Sequence, residues 1–191
     1  MRFPRVLPCV VTVVAIVAIA ACGSTSPASV GGSPQASDPA GVATTGGDIP
    51  DNVVWLSYSG NGFKVQYPEG WVRSATTDGV TFTDKDSRIA VTVAAGSTPT
   101  AASATADARA IAGAIVTTAA REISLPSGKA VVLTYSIDGS PDPVTGKRPH
   151  LTVDRYETAS GGKVAILELS AQVGVDNKDA YLFVAQSFRW A

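Results

Sequence analysis

The chain holds two cysteines, Cys9 and Cys22, both within its first 22 residues, so whatever folds beyond them lacks a disulfide, a thiolate metal ligand and a thiol nucleophile. Such a domain must bury enough apolar surface to stand alone. Residues 50–191, rich in Val, Ala and aromatic side chains, are long enough for one core of that kind. Nothing in this stretch calls for a metal or a cofactor.

The amino terminus explains the cysteines. Arg2 and Arg5 precede an apolar run, Val10–Ala21, that ends in Ile19-Ala20-Ala21-Cys22. The run is shorter than the roughly 20 residues of a membrane span, so residues 1–21 read as a cleavable signal peptide. An aliphatic residue three places before a cysteine, with small residues between, is a lipobox, and it makes Cys22 the lipidation site. Two acyl chains, at about 0.8 kcal/mol per buried methylene, hold a protein on a bilayer where one chain does not. The expected location is therefore the extracytoplasmic face of a bacterial cell membrane. Residues 22–49 form a tether of Gly, Ser, Thr, Ala and Pro with no aromatic side chain, a composition expected to stay disordered. A flexible chain of that length reaches about 25–30 Å.

Charge excludes one class of partner. With Arg2 and Arg5 set aside, 13 of the 15 basic residues face 16 acidic ones, a balance of −3, and the densest basic cluster is Lys147-Arg148. Nucleic acid, whose binding needs a basic stripe, is not a partner this sequence predicts.

From residue 50 onward the pattern is that of short strands. Val53–Tyr58 and Phe63–Tyr67 flank Asn61-Gly62, a hairpin turn in which both residues accept positive φ. Pro68 closes the second strand, and the turn after it presents Trp71. Val80–Thr83 and Ile89–Val93 alternate across Asp84–Ser87 as a second hairpin. Residues 99 to about 120 place Ala108, Ile111, Ala112, Ile115, Val116 and Ala119 at helical spacing, which predicts an Ala-faced helix. Strands are then expected at Lys129–Ile137, His150–Tyr156 and Val164–Ala171. The Pro/Gly-rich loop Asp138–Pro149 lies between the first two. A closing helix is expected to be capped by Asp176, with Ala180, Phe183, Val184 and Ser187 facing inward. Continuous apolar runs at Val131–Leu133 and Ala165–Leu167 predict strands covered on both faces. The class is α+β, a central, mostly antiparallel sheet covered by helices.

Two stretches carry a resemblance. Gly62-Phe63-Lys64-Val65-Gln66-Tyr67-Pro68-Glu69-Gly70-Trp71 resembles the opening signature of the PsbP-like family, and Asp176-Asn177 through Ser187-Phe188-Arg189-Trp190 resembles the end of related actinobacterial lipoproteins of the LpqN type. Over residues 53–191 the resemblance implies an antiparallel sheet sandwiched between helices. It also implies a non-catalytic module that docks onto other proteins.

The search for chemistry finds little. His150 is the sole histidine, there is no Gly-x-Ser-x-Gly elbow, and neither Gly128-Lys129 nor Gly146-Lys147 sits in a phosphate-binding loop. Asp138, Asp142 and Asp154 match no calcium-loop spacing. The expectation is therefore no catalytic residue, no metal and no cofactor. In its place stands a protein-binding surface formed by Trp71, Asp138, Asp142, Lys147, Arg148 and His150, since a loop longer than folding needs often carries function. The alternative is a carrier or sensor of an envelope lipid or other apolar molecule, held in a cavity lined by Trp55, Trp71, Trp190, Tyr58, Tyr67, Phe82 and Phe188. A hydrolase ranks below both.

Overall fold

The computed structural model describes residues 47–191. The expected signal peptide, Cys22 and the expected tether as far as residue 46 lie outside the described residues. Strands β1 (Trp55–Gly60) and β2 (Phe63–Pro68) form the first hairpin, and Asn61 and Gly62 take φ of 53° and 80° as its turn requires. Next come β3 (Val72–Thr76), β4 (Gly79–Asp84) and β5 (Ser87–Ala95), of which β3 was not predicted. Every residue of β3 is exposed because it is the edge strand of its sheet, so no apolar alternation marks it in the sequence.

The long helix predicted over residues 99–120 is two elements. Helix α1 spans Ala101–Ala110, started by a capping box between Thr100 and Ser103, and residues Ile115–Leu125 are strand β6. Between them Ile111 leaves helical φ/ψ and Gly113 sits at φ 83°. The run Ile115-Val116-Thr117-Thr118 then favours extended backbone, because all four side chains are β-branched and crowd a helix at χ1. The small residues that pack α1 are therefore Ala104 and Ala108, both fully buried, whereas Ala112 and Ala119 are exposed. Ala108→Leu should cost about 1–3 kcal/mol by overpacking. Ala119→Leu should change stability by no more than about 0.5 kcal/mol. Urea unfolding of the two variants tests this assignment, and equal effects would contradict it.

Strands β7 (Gly128–Asp138), β8 (His150–Ser160) and β9 (Lys163–Gln172) complete a seven-stranded antiparallel sheet in the order β3-β4-β5-β9-β8-β7-β6. Helix α2 spans Lys178–Ser187, and the two-residue strand β10 (Arg189–Trp190) joins a second sheet ordered β1-β2-β10. The cap of α2 differs from expectation. Asn177 occupies the N-cap without capping, because its side chain accepts from Ile49 N at 2.8 Å and donates to Gly47 O at 2.9 Å. Asp176 Oδ1 accepts only a long 3.4 Å bond from Lys178 N. These bonds, with Ser87 Oγ donating to Gly47 O, tie residues 47–49 to the fold, so the domain begins within the end of the expected tether. The inward face of α2 is Tyr181, Val184 and Ala185, while Phe183 is 39% exposed. The Tyr181 hydroxyl donates to Ser170 O at 2.6 Å, and anchoring that ring against the sheet turns Phe183 outward.

Strand β7 is buried on both faces, as its apolar run predicts. Val132 joins the main core with Phe63, Phe82, Leu167 and Phe188, and Val131 and Leu133 meet Ala104 and Ala108 on the other side. On β9 the pattern is weaker, for Ile166 is only half-buried. The covering layers also differ from expectation: α1 packs on β6 and β7, and on the main-core face the small β1-β2-β10 sheet shares the covering with α2. On the α1 face a buried ion group bridges β7, β8 and β9. Arg155 Nε donates to Glu157 Oε1 at 2.6 Å and its Nη1 to Glu168 Oε1 at 2.7 Å, and the Tyr135 hydroxyl donates to the same Glu168 oxygen. Burial works to lower the pKa of Arg155, yet its bonds and attraction to the two glutamates outweigh that and leave it raised. Burial, followed by the Glu168 charge, drives the Tyr135 phenol far above its usual range.

Candidate functional site: the β7–β8 loop

Strands β7 and β8 end at a paired Asp138 and His150, joined by the exposed segment 139–149. A Pro/Gly-rich stretch of this length would ordinarily be loose, but here its own polar groups fix it. Gly139 N donates to Pro149 O at 2.8 Å and closes the neck. Further out, Asp142 N donates to Lys147 O and Gly146 N to Asp142 O, with Gly146 at φ 70° where a side chain would be strained. Asp142 is the organising residue, since its Oδ1 accepts from Thr145 N at 2.7 Å, Thr145 Oγ1 at 2.9 Å and Val144 N at 3.0 Å. Arg148 Nη1 donates to Gly139 O at 3.0 Å across the neck. The result is a fixed protrusion with Val144 at its tip, 90% exposed.

The bonds from Thr145 and Val144 hold the Asp142 carboxyl below its ordinary pKa. A depressed folded-state pKa contributes order that persists above it and is lost as pH falls through it. The amide signals of Val144 and Thr145 in NMR spectra should therefore keep their neutral-pH positions until the pH drops below the usual carboxylate value of about 3.9. Titration at or above that value would show that Asp142 does not organise the turn.

The six residues expected to form a binding surface divide into two groups. Asp138, Asp142, Lys147, Arg148 and His150 come together on this loop, with His150 Nδ1 against Asp138 Oδ1 at 2.9 Å and both side chains more than half exposed. Trp71 does not join them. It stands where β3 begins, at the same end of the large sheet, but β4, β5 and β9 separate β3 from β8 and the indole packs against the main core. Asp154, weighed with Asp138 and Asp142 as a cation ligand, lies within β8 and accepts a bond from Thr134 Oγ1 at 2.8 Å. Two neighbours of the loop escaped sequence reasoning, Asp86 of the β4–β5 turn and Gln172 at the end of β9. Gln172 donates to Asp86, and both help line a recess of about 490 Å³ against the loop. The antiparallel register of β5, β9 and β8 brings these distant positions together, and no local motif reports it.

The aromatic set does not line a cavity as the lipid-carrier reading required. Tyr67 stacks on Phe82 with centroids 4.0 Å apart, Phe63 on Phe188 at 5.5 Å, and Trp190 meets Phe188 edge-on at 5.3 Å, so most of the rings fill the core themselves. Trp55 instead lies against Phe183 beside a surface groove.

The chain matches no protein-family model and no curated protein. Among solved structures, the solution structure of cyanobacterial PsbP from Synechocystis sp. PCC 6803 aligns at a TM-score of 0.51 and 19% identity, covering 76% of this chain and 98% of that one. The fold is PsbP-like. A crystal structure from Bacteroides thetaiotaomicron aligns at a TM-score of 0.49 and 11% identity, covering 68% of this chain and 45% of the other. Among the described residues no helix is long and apolar enough to cross a membrane.

Proposed function

We propose that this PsbP-like domain is a non-enzymatic docking module of the cell envelope, held to the extracytoplasmic face of the membrane by lipid on Cys22, and that its β7–β8 loop receives a protein partner. The observation that carries the reading is the fixed loop. A protrusion already ordered by Asp142 and Arg148 loses little entropy on binding, and it holds an aliphatic side chain, Val144, beside Lys147 and Arg148. That is the composition of an interface anchor with a charged rim. The pairing of His150 with Asp138 at the exposed base of the loop favours orientation of the loop over base catalysis. Placement in the actinobacterial branch of LpqN-like lipoproteins, with the sheet sandwiched between helices, belongs to the same proposal and rests on the sequence resemblance.

The test is crosslinking of the lipidated protein in its own membrane, read by mass spectrometry. Replacing residues 139–149 by Asn-Gly should leave the thermal midpoint nearly unchanged, because loop closure depends weakly on length, and should abolish the partner crosslink. Val144→Asp should weaken the crosslink without touching the fold. An unchanged partner set in both variants would refute the docking role. Cys22→Ala should release a folded protein from the membrane, and retention after a salt wash would refute the anchor.

A further inference from the structure

Between strands β6–β9 and the start of α2 lies an open recess of about 450 Å³, within the range of about 300–1,000 Å³ common for small-molecule sites. The strands contribute Thr117, Thr118, Thr134, Thr152, Asp154 and Gln172 to its polar lining, and the approach to α2 adds Asp176, Asn177 and Lys178. Two features set it apart from an ordinary sheet surface. Successive strand residues point to opposite faces, yet Thr117 and Thr118 both line this recess, because the pairing of β6 with β7 slips between Val116 and Thr118 and again between Thr118 and Arg121. An irregularity of this kind re-aims a side chain, and such features recur beside binding sites. The second feature is a row across three strands. Thr118 is opposite Thr134 and Thr134 opposite Asp154, with Thr134 Oγ1 donating to Asp154 Oδ1 at 2.8 Å. Among the described residues no side chain bonds the other Asp154 oxygen. Thr117 Oγ1 is turned back to Thr134 O at 3.2 Å, which leaves its lone pairs to accept.

The chemistry of this lining selects a ligand. Hydroxyl groups both donate and accept, a carboxamide does both through separate atoms, and a carboxylate accepts from two neighbouring hydroxyls at once. A lipid tail would cover the hydroxyl lone pairs and the other Asp154 oxygen without bonding them, at a cost. An anion would meet Asp154, and Asp176 at the border of the recess, with Lys178 as the one lysine in the lining. What matches donors and acceptors alternating over a short span, with no net charge, is a polyhydroxylated ring. The Tyr181 ring and Val175, also in the lining, offer the apolar contact that the C–H face of such a ring takes.

We propose that the recess between β6–β9 and α2 binds a neutral sugar of one or two rings. The recess shares Gln172 with the one beside the β7–β8 loop but contains no residue of 139–149, so replacing those loop residues should leave sugar binding intact. The experiment is saturation-transfer difference NMR on the full-length protein, with hexoses, N-acetylhexosamines and their disaccharides as probes and with palmitate and spermidine as competing classes. A sugar of the panel should show transfer. Both Thr118→Val, which keeps the side-chain shape, and Asp154→Asn should weaken its affinity by about tenfold or more, the usual effect of losing one hydrogen bond to a polar or charged group. Unchanged circular dichroism in these variants separates lost binding from lost fold. Thr83→Val, at a half-buried position on β4 outside the recess, should leave affinity unchanged. The proposal is overturned if no sugar of the panel binds, if binding survives both variants undiminished, or if palmitate or spermidine takes the recess in place of sugar.

Discussion

Replacing Arg155 by Met is expected to cost the domain about 3–5 kcal/mol, a large share of the roughly 5–15 kcal/mol that holds a domain of this size together. The guanidinium is the cation that Glu157 and Glu168 share, bonding one oxygen of each at 2.6 and 2.7 Å, and the arginine and Glu157 are both almost wholly buried. Methionine fills the space but leaves two carboxylates facing each other across β8 and β9 with Tyr135 as their remaining donor in this group. The loss is electrostatic, and that gives it a signature. Buried carboxylates without a cation prefer the neutral form, so in the variant the folded state binds protons more readily than the unfolded chain and stability rises as pH falls. Urea midpoints should therefore show a deficit that is greatest at neutral pH and shrinks on mild acidification. Adding Glu157→Gln and Glu168→Gln to the same variant should recover much of the loss at neutral pH, since no buried charge is then left uncompensated. A single variant within about 1 kcal/mol of the parent would mean that water reaches the group freely and that burial does not govern it.

What could be read from the residues follows a physical divide. Turns whose chemistry is local were legible: Asn61-Gly62 adopts the positive φ values that its residue types allow and joins the strands expected on either side. Strand β7 was legible as doubly buried because Val131, Val132 and Leu133 are apolar in succession. Strand β3 was not, because an edge strand exposed on both faces has no apolar pattern to show. The error over α1 and β6 has another cause. Alanine suits a helix and small gaps on a sheet alike, and the Ala-rich stretch keeps a helical spacing past Ile111, although Gly113 and the β-branched run after it turn the chain into a strand. The candidate site divides the same way. The Pro and Gly residues of 139–149 mark a loop in any reading, but its rigidity depends on Asp142 bonding residues two and three places on, and its recess on Asp86 and Gln172, which only the strand register supplies. The slip in β6 that turns Thr117 and Thr118 to one side has no residue signature at all.

The two stretches that carry the family resemblance are far apart in sequence and meet in the core, and this makes Phe188→Ala the substitution expected to cost most within the hydrophobic core. Phe188 is fully buried, stacked on Phe63 and edge-on to Trp190. Around it the last residues grip the first hairpin: Arg189 pairs with Lys64 and Trp190 with Phe63, Gln66 N donates to Ser187 Oγ at 2.9 Å, and Ala191 N donates to Gly62 O at 2.9 Å. The opening Phe63–Tyr67 pattern and the closing Ser187–Trp190 pattern are therefore two halves of one packing unit. Removing the Phe188 ring opens a cavity where neither β2 nor the large sheet can collapse, since each is held by its own ladder, and the expected cost is about 3–5 kcal/mol. Phe188→Leu, which keeps most of the volume, should cost less than half as much. Because Trp190 rests on the same ring, the near-ultraviolet circular dichroism of the Ala variant should lose aromatic signal under conditions where the far-ultraviolet spectrum still shows the sheet. A loss below about 1.5 kcal/mol, or an unchanged aromatic spectrum, would mean that the closing strand is an appendage to the fold and that the two patterns are joined by something other than packing.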